Sequence, residues 1–159
     1  MPKEKLVDLL YELMKSCKRS DRELARIIKV SQPTITRLRK NLENSGLIRE
    51  YTVLPALERL GFEIAAFSFV WTSPLHETMK PIEDWVLENR RILFSSLGRG
   101  IEGKTFMIVS IHKDYTDFSQ FGRELRSILG SKVVSVESFL ISLKTDIVKH
   151  FSLKNLERV

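Results

Sequence analysis

Apolar side chains at Leu6, Leu9, Leu10, Leu13 and Met14 follow the i, i+3, i+4, i+7, i+8 spacing of one helix face, so the chain opens on an amphipathic helix. Ser20 followed three residues later by Glu23 is a capping box and starts a second helix. Ser31 can cap a third, with Pro33 in a first turn where a missing N–H costs nothing, so the chain has to turn between Ile28 and Ser31. A separation of about three residues is the layout of a helix-turn-helix. Leu24, Ile28, Val30, Ile35 and Leu38 fall where the buried faces of such a pair meet, and Ala25 is small enough for a close crossing. Leu42 continues the apolar side and Gly46 is placed to cap its end. From Leu47 to Leu54 the residues Ile48, Tyr51, Thr52 and Val53 predict a strand that Pro55 ends, suited to a wing or to a plain connection.

Beyond Phe62 the periodicity changes. Ile64 to Trp71 is an almost wholly apolar run of strand formers, and His76 to Arg91 is helical with Met79, Ile82 and Val86 on one side near Trp85. Ile92 to Leu97 and Thr105 to His112 read as strands joined through a glycine-rich piece. Phe118, Phe121, Leu125 and Ile128 mark a helix that Gly130 closes, and Val133 to Leu143 is a last strand. Strand, helix, strand, strand, helix, strand is the split pattern of a ferredoxin-like βαββαβ sandwich. The expectation is an α+β chain: a winged helix-turn-helix over 1–54, a linker over 55–61, and a ferredoxin-like domain over 62–159 whose tail from Thr145 is weakly amphipathic and docks on its own domain or a partner subunit.

Charge sharpens this division. Residues 1–54 hold 12 Lys plus Arg against 7 Asp plus Glu, a net of +5 out of the chain's +6, so the positive charge is concentrated in the helix-turn-helix third. A polyanion partner for that third is the direct reading, against the plainer one of a soluble basic surface. Cys17 is the single cysteine, which excludes an intrachain disulfide and an intrachain thiolate metal cluster and fits a reducing cytosol. The first residues lack the pattern of a signal peptide, and no run reaches the roughly 18 apolar residues that span a bilayer. A cytoplasmic protein without membrane, metal or cofactor partners is expected.

The side chains left outward on the third helix suit duplex DNA. Gln pairs bidentately with adenine, Arg with guanine, and Thr meets a phosphate or a thymine methyl. The candidate contacts are Arg37 and Gln32 for bases, Thr34 and Thr36 for mixed contact, Arg39, Lys40 and Arg22 for phosphate, with Ser31 at the helix start. An isolated basic helix face is commonplace; caps, turn spacing, buried pattern and polar face together make the DNA reading the stronger one.

The segments S-D-R-E-L-A at Ser20 to Ala25, V-S-Q-P-T-I at Val30 to Ile35, R-L-R-K-N-L-E at Arg37 to Glu43 and S-G-L-I-R-E-Y-T at Ser45 to Thr52 resemble the leucine-responsive regulatory protein (Lrp/AsnC) family, in its archaeal form. A looser likeness continues through Leu60, Gly61, Phe62 and the second domain. The resemblance implies a DNA-binding transcription factor that dimerises through its second domain, can assemble into tetramers or octamers, and binds a small effector between those domains; an enzyme is not the expected reading. Two positions depart from the family. Lys29 stands where the turn usually has glycine, so a left-handed backbone there would cost about 1 kcal/mol. Amino-acid binders usually carry a glycine followed closely by an acidic residue between the second and third strands of the sensor domain; here the segment runs Gly98-Arg99-Gly100-Ile101-Glu102-Gly103-Lys104-Thr105. Gly98, Arg99 and Gly100 are the candidate effector residues, as a backbone anion nest or, more plainly, a hairpin connection.

The rival reading is an enzyme. Some proteins resembling this family are siroheme decarboxylases that retain a helix-turn-helix, and His76, His112 and His150 would then be the acid groups, with Arg99 or Lys104 holding carboxylates. Each histidine is isolated in the sequence, and they form no metal-ligand pattern. A third reading, an effector-binding sensor without an operator, would use Trp71 and Trp85, although aromatics at such spacings are commonly core.

Overall fold

Three helices build the N-terminal part of the computed structural model, which describes residues 2–73, 75–98, 101–145 and 147–157. They are α1 (Pro2–Lys15), α2 (Asp21–Ile28) and α3 (Gln32–Asn44). Leu9, Leu24, Ile35 and Leu42 are fully buried at their junction, with Leu13, Ala25, Ile28 and Leu38 nearly so, and Leu6, Leu10, Val30 and Ile48 packed around them. The capping box is complete: the Ser20 hydroxyl accepts the Glu23 N–H at 3.3 Å, and the Glu23 carboxylate accepts the Ser20 N–H at 2.7 Å. The Glu23 carboxylate also accepts the Ser20 hydroxyl at 2.9 Å, and the bonds it accepts from the Ser20 N–H and hydroxyl hold it below its usual range. At the other end of α2, Lys29 takes the left-handed conformation (φ 59°, ψ 53°) and donates its N–H to the Ala25 carbonyl. A Cβ is unfavourable in that region, so the departure from glycine carries a cost in this chain. Lys29→Gly is expected to raise the stability of this unit by about 0.5–1 kcal/mol in urea unfolding; the absence of a gain would show that the Lys29 side chain makes a compensating contact.

Helix α3 ends at Ser45, and Gly46 follows with φ 71°, as a left-handed cap requires. The strand expected over Leu47 to Leu54 is not formed: residues 47–56 carry no ladder. Local β-propensity selects an extended backbone, but a strand needs a partner to accept its hydrogen bonds, and none pairs with this segment. The chain divides into two units, one of Met1–Leu54 with Lys149–Val159, the other Pro55–Val148. The last residues thus group with the helical unit, where the Tyr11 hydroxyl donates to the Glu157 carbonyl at 3.3 Å, whereas the sequence reading placed them with the second domain.

In the second unit a 3-10 turn (Leu57–Leu60) precedes β1 (Ile64–Thr72), α4 (Leu75–Glu88), β2 (Ile92–Leu97), β3 (Phe106–His112), α5 (Tyr115–Leu129) and β4 (Val133–Ser142). The strands form one sheet in the order β2-β3-β1-β4, and all three pairings are antiparallel. This is the expected ferredoxin-like sandwich. Alternation along β1 sorts the faces: Ala66, Ser68, Val70 and Thr72 are buried on the helix side, between residues that look the other way. Val70, Ile82, Phe106, Ile108, Phe121, Leu125 and Leu129 form the core there. Trp85 belongs to it, its ring 5.3 Å from that of Phe121. On the opposite face Phe67 pairs across the strands with Phe139, and Phe94 with Val109. Phe94 and Phe139 are more than half exposed. Trp71, on that face, is covered in part by Gly103, where an added Cβ would stand 3.2 Å from the ring.

Candidate nucleic-acid interface

The exposed surface of α3 is one continuous stripe. Gln32, Thr36 and Lys40 lie at i, i+4, i+8, and Pro33, Arg37 and Asn41 run beside them, all exposed. Ile35, Leu38 and Leu42 occupy the opposite side and fix the helix on α1 and α2. The Ser31 cap presents the helix start: its hydroxyl accepts the Thr34 N–H at 3.3 Å and shares a hydrogen bond with the Thr34 hydroxyl at 2.8 Å. Helix N-termini of this kind favour anions through their free N–H groups.

The residues expected at the interface therefore divide by geometry. Gln32, Arg37 and Lys40 project from the stripe, and none of the three side chains has a hydrogen bond or ion pair among the described residues, the Gln32 carbonyl alone accepting the Thr36 hydroxyl at 3.3 Å. Arg22 is exposed on α2. Ser31 and Thr34 are engaged with each other at the cap. Thr36 is exposed but donates its hydroxyl to Asp21 at 2.8 Å. Arg39 is turned inward: its guanidinium makes two bonds to Asp21, at 2.7 and 3.1 Å, and a third to the Tyr51 hydroxyl at 3.3 Å. Tyr51 in turn donates to Glu43 at 2.9 Å. Burial alone would raise the Asp21 carboxyl, but the bonds from Arg39 and Thr36 outweigh it and hold it below its usual value. This network ties α2, α3 and the segment after α3 into one body, and it neutralises an acidic group that would otherwise stand beside the stripe. Asn41 completes the stripe and was missed by the sequence reading; its signal was the spacing of four residues from Arg37. Tyr51 had no comparable signal, because its partner Arg39 is set by folding.

In the second unit, Gly98 donates its N–H to the Thr105 carbonyl at 3.1 Å, which commits that group to the hairpin rather than to an anion. Arg99 and Gly100 lie outside the described residues. Lys104 is almost fully buried and is held by Ser135, at 2.7 Å, and Glu137 on the sheet face away from the helices. His112 is wholly buried on the helix face, its Nε2 bonded to the Ser110 hydroxyl at 2.8 Å. Lys104 and His112, two of the five candidates of the enzyme reading, thus stand on opposite faces of one sheet. His150 is exposed in the tail, and the side chain of His76 lies outside the described residues. Among the described residues no group of His, Cys, Asp and Glu is arranged to hold a metal, and no helix is long and apolar enough to cross a membrane.

The Nδ1 of His112 has no hydrogen-bond partner among the described residues; Asp117 approaches to 3.7 Å, and the rings of Phe118 and Phe121 stand at 5.4 and 5.0 Å. Burial pushes the imidazole below its usual pKa; Asp117 raises it and Arg91 lowers it further. The unfolded chain therefore binds this proton more readily than the folded one, so stability falls as the pH drops below about 6.5 toward the lower folded value. Unfolding at pH 5 is expected to be easier than at pH 7.5, and His112→Gln should flatten that difference. An unchanged slope in the variant would assign the pH dependence to other groups.

The family described as winged helix-turn-helix DNA-binding matches residues 4–49. The HTH-type transcriptional regulator LrpC of Bacillus subtilis (strain 168) is 36% identical over 59 residues, which are 37% of this chain and 41% of that protein. The sequence match thus spans about two fifths of the relative's length. Over whole chains, the solved structure of B. subtilis LrpC superposes with a TM-score of 0.75 at 19% identity, covering 92% of this chain and 96% of the other. A transcriptional regulator from Neisseria meningitidis, solved in complex with L-Met, gives 0.79 at 19% identity over 96% and 97% of the two chains. E. coli AsnC gives 0.76 at 15% identity over 93% and 96%. Together the matched helix-turn-helix and the shared fold bear out the likeness read from the sequence: residues 4–49 are a winged helix-turn-helix DNA-binding domain, and the chain as a whole is similar in fold to the LrpC and AsnC structures.

Proposed function

We propose that the protein is a sequence-specific DNA-binding transcriptional regulator that acts as a homodimer, with α3 of each protomer in a major groove. The observation that carries this is the stripe of α3, in which Gln32, Arg37 and Lys40 are exposed and unpaired while neighbouring polar groups are spent on holding the helix. A groove about 12 Å wide admits such a helix, and Gln and Arg supply the bidentate pairs that read adenine and guanine. The apolar sheet face around Phe67, Phe94 and Phe139 supports self-association, since a soluble chain rarely leaves so many aromatic side chains uncovered together. Two protomers would present two helices to half-sites about 34–36 Å apart or a multiple of that. The L-Met complex of the Neisseria protein makes small amino acids the first ligands to screen as effectors.

Selection of bound duplexes from a random library tests this reading. The expected product is a two-fold symmetric motif with half-sites one or more helical turns apart. Enrichment of no motif above the starting library would contradict sequence-specific recognition.

A further inference from the structure

On the helix side of the second unit, a cleft of about 210 Å³ opens between α5 and the edge strand β4. Its floor is apolar, from Phe118, Phe121, Leu125 and Val136. Its rim carries Arg123 and Arg126, and hydroxyls come from Ser119, Ser68 and Ser138. Ser68 is buried and shares a 2.8 Å hydrogen bond with Ser138 across the two strands. Among the described residues no carboxylate lines the cleft.

Two features point to an occupant. Arg123 and Arg126 lie at i, i+3 on one helix edge, where like charges repel, and neither has an ion pair among the described residues. Elsewhere in this unit Arg91 is paired with Asp117 and Glu124, and Lys144 with Glu63. Gly122 sits between the arginines and the rings, in mid-helix, where glycine is a poor choice. A Cβ added there would meet nothing within 4 Å, so packing within the chain does not explain the glycine. What it leaves is room in the cleft.

We propose that the α5–β4 cleft binds a small organic carboxylate with an apolar body, the acid group on Arg123 and Arg126 and the body over Phe118, Phe121 and the space left by Gly122. Arginine pairs favour carboxylates through forked, charge-assisted bonds, and the serine hydroxyls can orient a second polar group. The site is independent of the DNA reading, because it lies on neither α3 nor the exposed sheet face.

Calorimetric titration of the full chain with phenylacetate and 4-methylpentanoate tests it, with the matching amides and inorganic phosphate as controls. Saturable binding of at least one acid is expected, with no binding of its amide and weaker binding of phosphate. Arg123→Ala/Arg126→Ala should weaken the acid at least tenfold, and Gly122→Leu, which fills the cleft without a clash in the helix, should do the same. Failure of both acids to bind, equal binding of the amides or of phosphate, or unchanged affinity in either variant would overturn the proposal. The assay contains no DNA, so its outcome is separate from that of duplex selection.

Discussion

Arg37→Ala is expected to weaken binding of the selected duplex by about 10- to 100-fold, the 1–3 kcal/mol that a bidentate pair to guanine contributes. Binding to random duplex should fall far less, because only one charge is lost from the electrostatic term. Lys40→Ala is expected to behave differently. It should weaken both duplexes alike and reduce the slope of log affinity against log salt by about one. The contrast follows from position: Arg37 lies in the middle of the stripe, while Lys40 is one turn further along it. Anisotropy titrations at several salt concentrations measure both effects. Equal losses on specific and random duplex for Arg37→Ala would move it from the bases to the backbone.

The second large effect is structural. Ile35 is fully buried between α3 and its two supporting helices. Ile35→Ala removes methyl groups and leaves a cavity, at a cost of about 2–5 kcal/mol. A helical unit of this size has a small core and correspondingly little stability to lose. Urea unfolding followed by circular dichroism should show the midpoint falling steeply, with DNA binding lost in parallel. A cost below about 1 kcal/mol would mean that the core relaxes into the cavity. Arg37→Ala and Ile35→Ala thus separate reading from scaffolding: the first loses affinity with the fold intact, the second loses both.

What could be read from the sequence was local or periodic. The capping box at Ser20 and Glu23, the cap at Ser31, the left-handed turn at Lys29 and the glycine after α3 all depend on residues within a turn of one another, and each was found where expected. The order of strands and helices beyond Ile64 followed from period and from strand formers. Features that depend on distant partners were not legible. The segment after α3 has strand-forming residues but no strand to pair with, so propensity misled there. Arg39 looked like a phosphate ligand by type, yet Asp21, eighteen positions away, and Tyr51 hold it inward. His112 was isolated in the sequence and nothing near it signalled burial; the register of β3 under α5 buries it. On α3 most outward positions were legible because they are what remains after the buried face is assigned; Pro33 and Asn41 were not named among them, and Arg39 was.

Methylation interference on the selected duplex tests the central claim most directly, because methylated guanine N7 stands in the major groove where α3 is placed. Methylation at guanines in both half-sites should abolish binding of the intact protein, and Arg37→Ala should lose its sensitivity at one of those guanines per half-site. Binding that tolerates methylation throughout, or interference confined to the minor groove, would contradict the assignment of α3 as the reading helix.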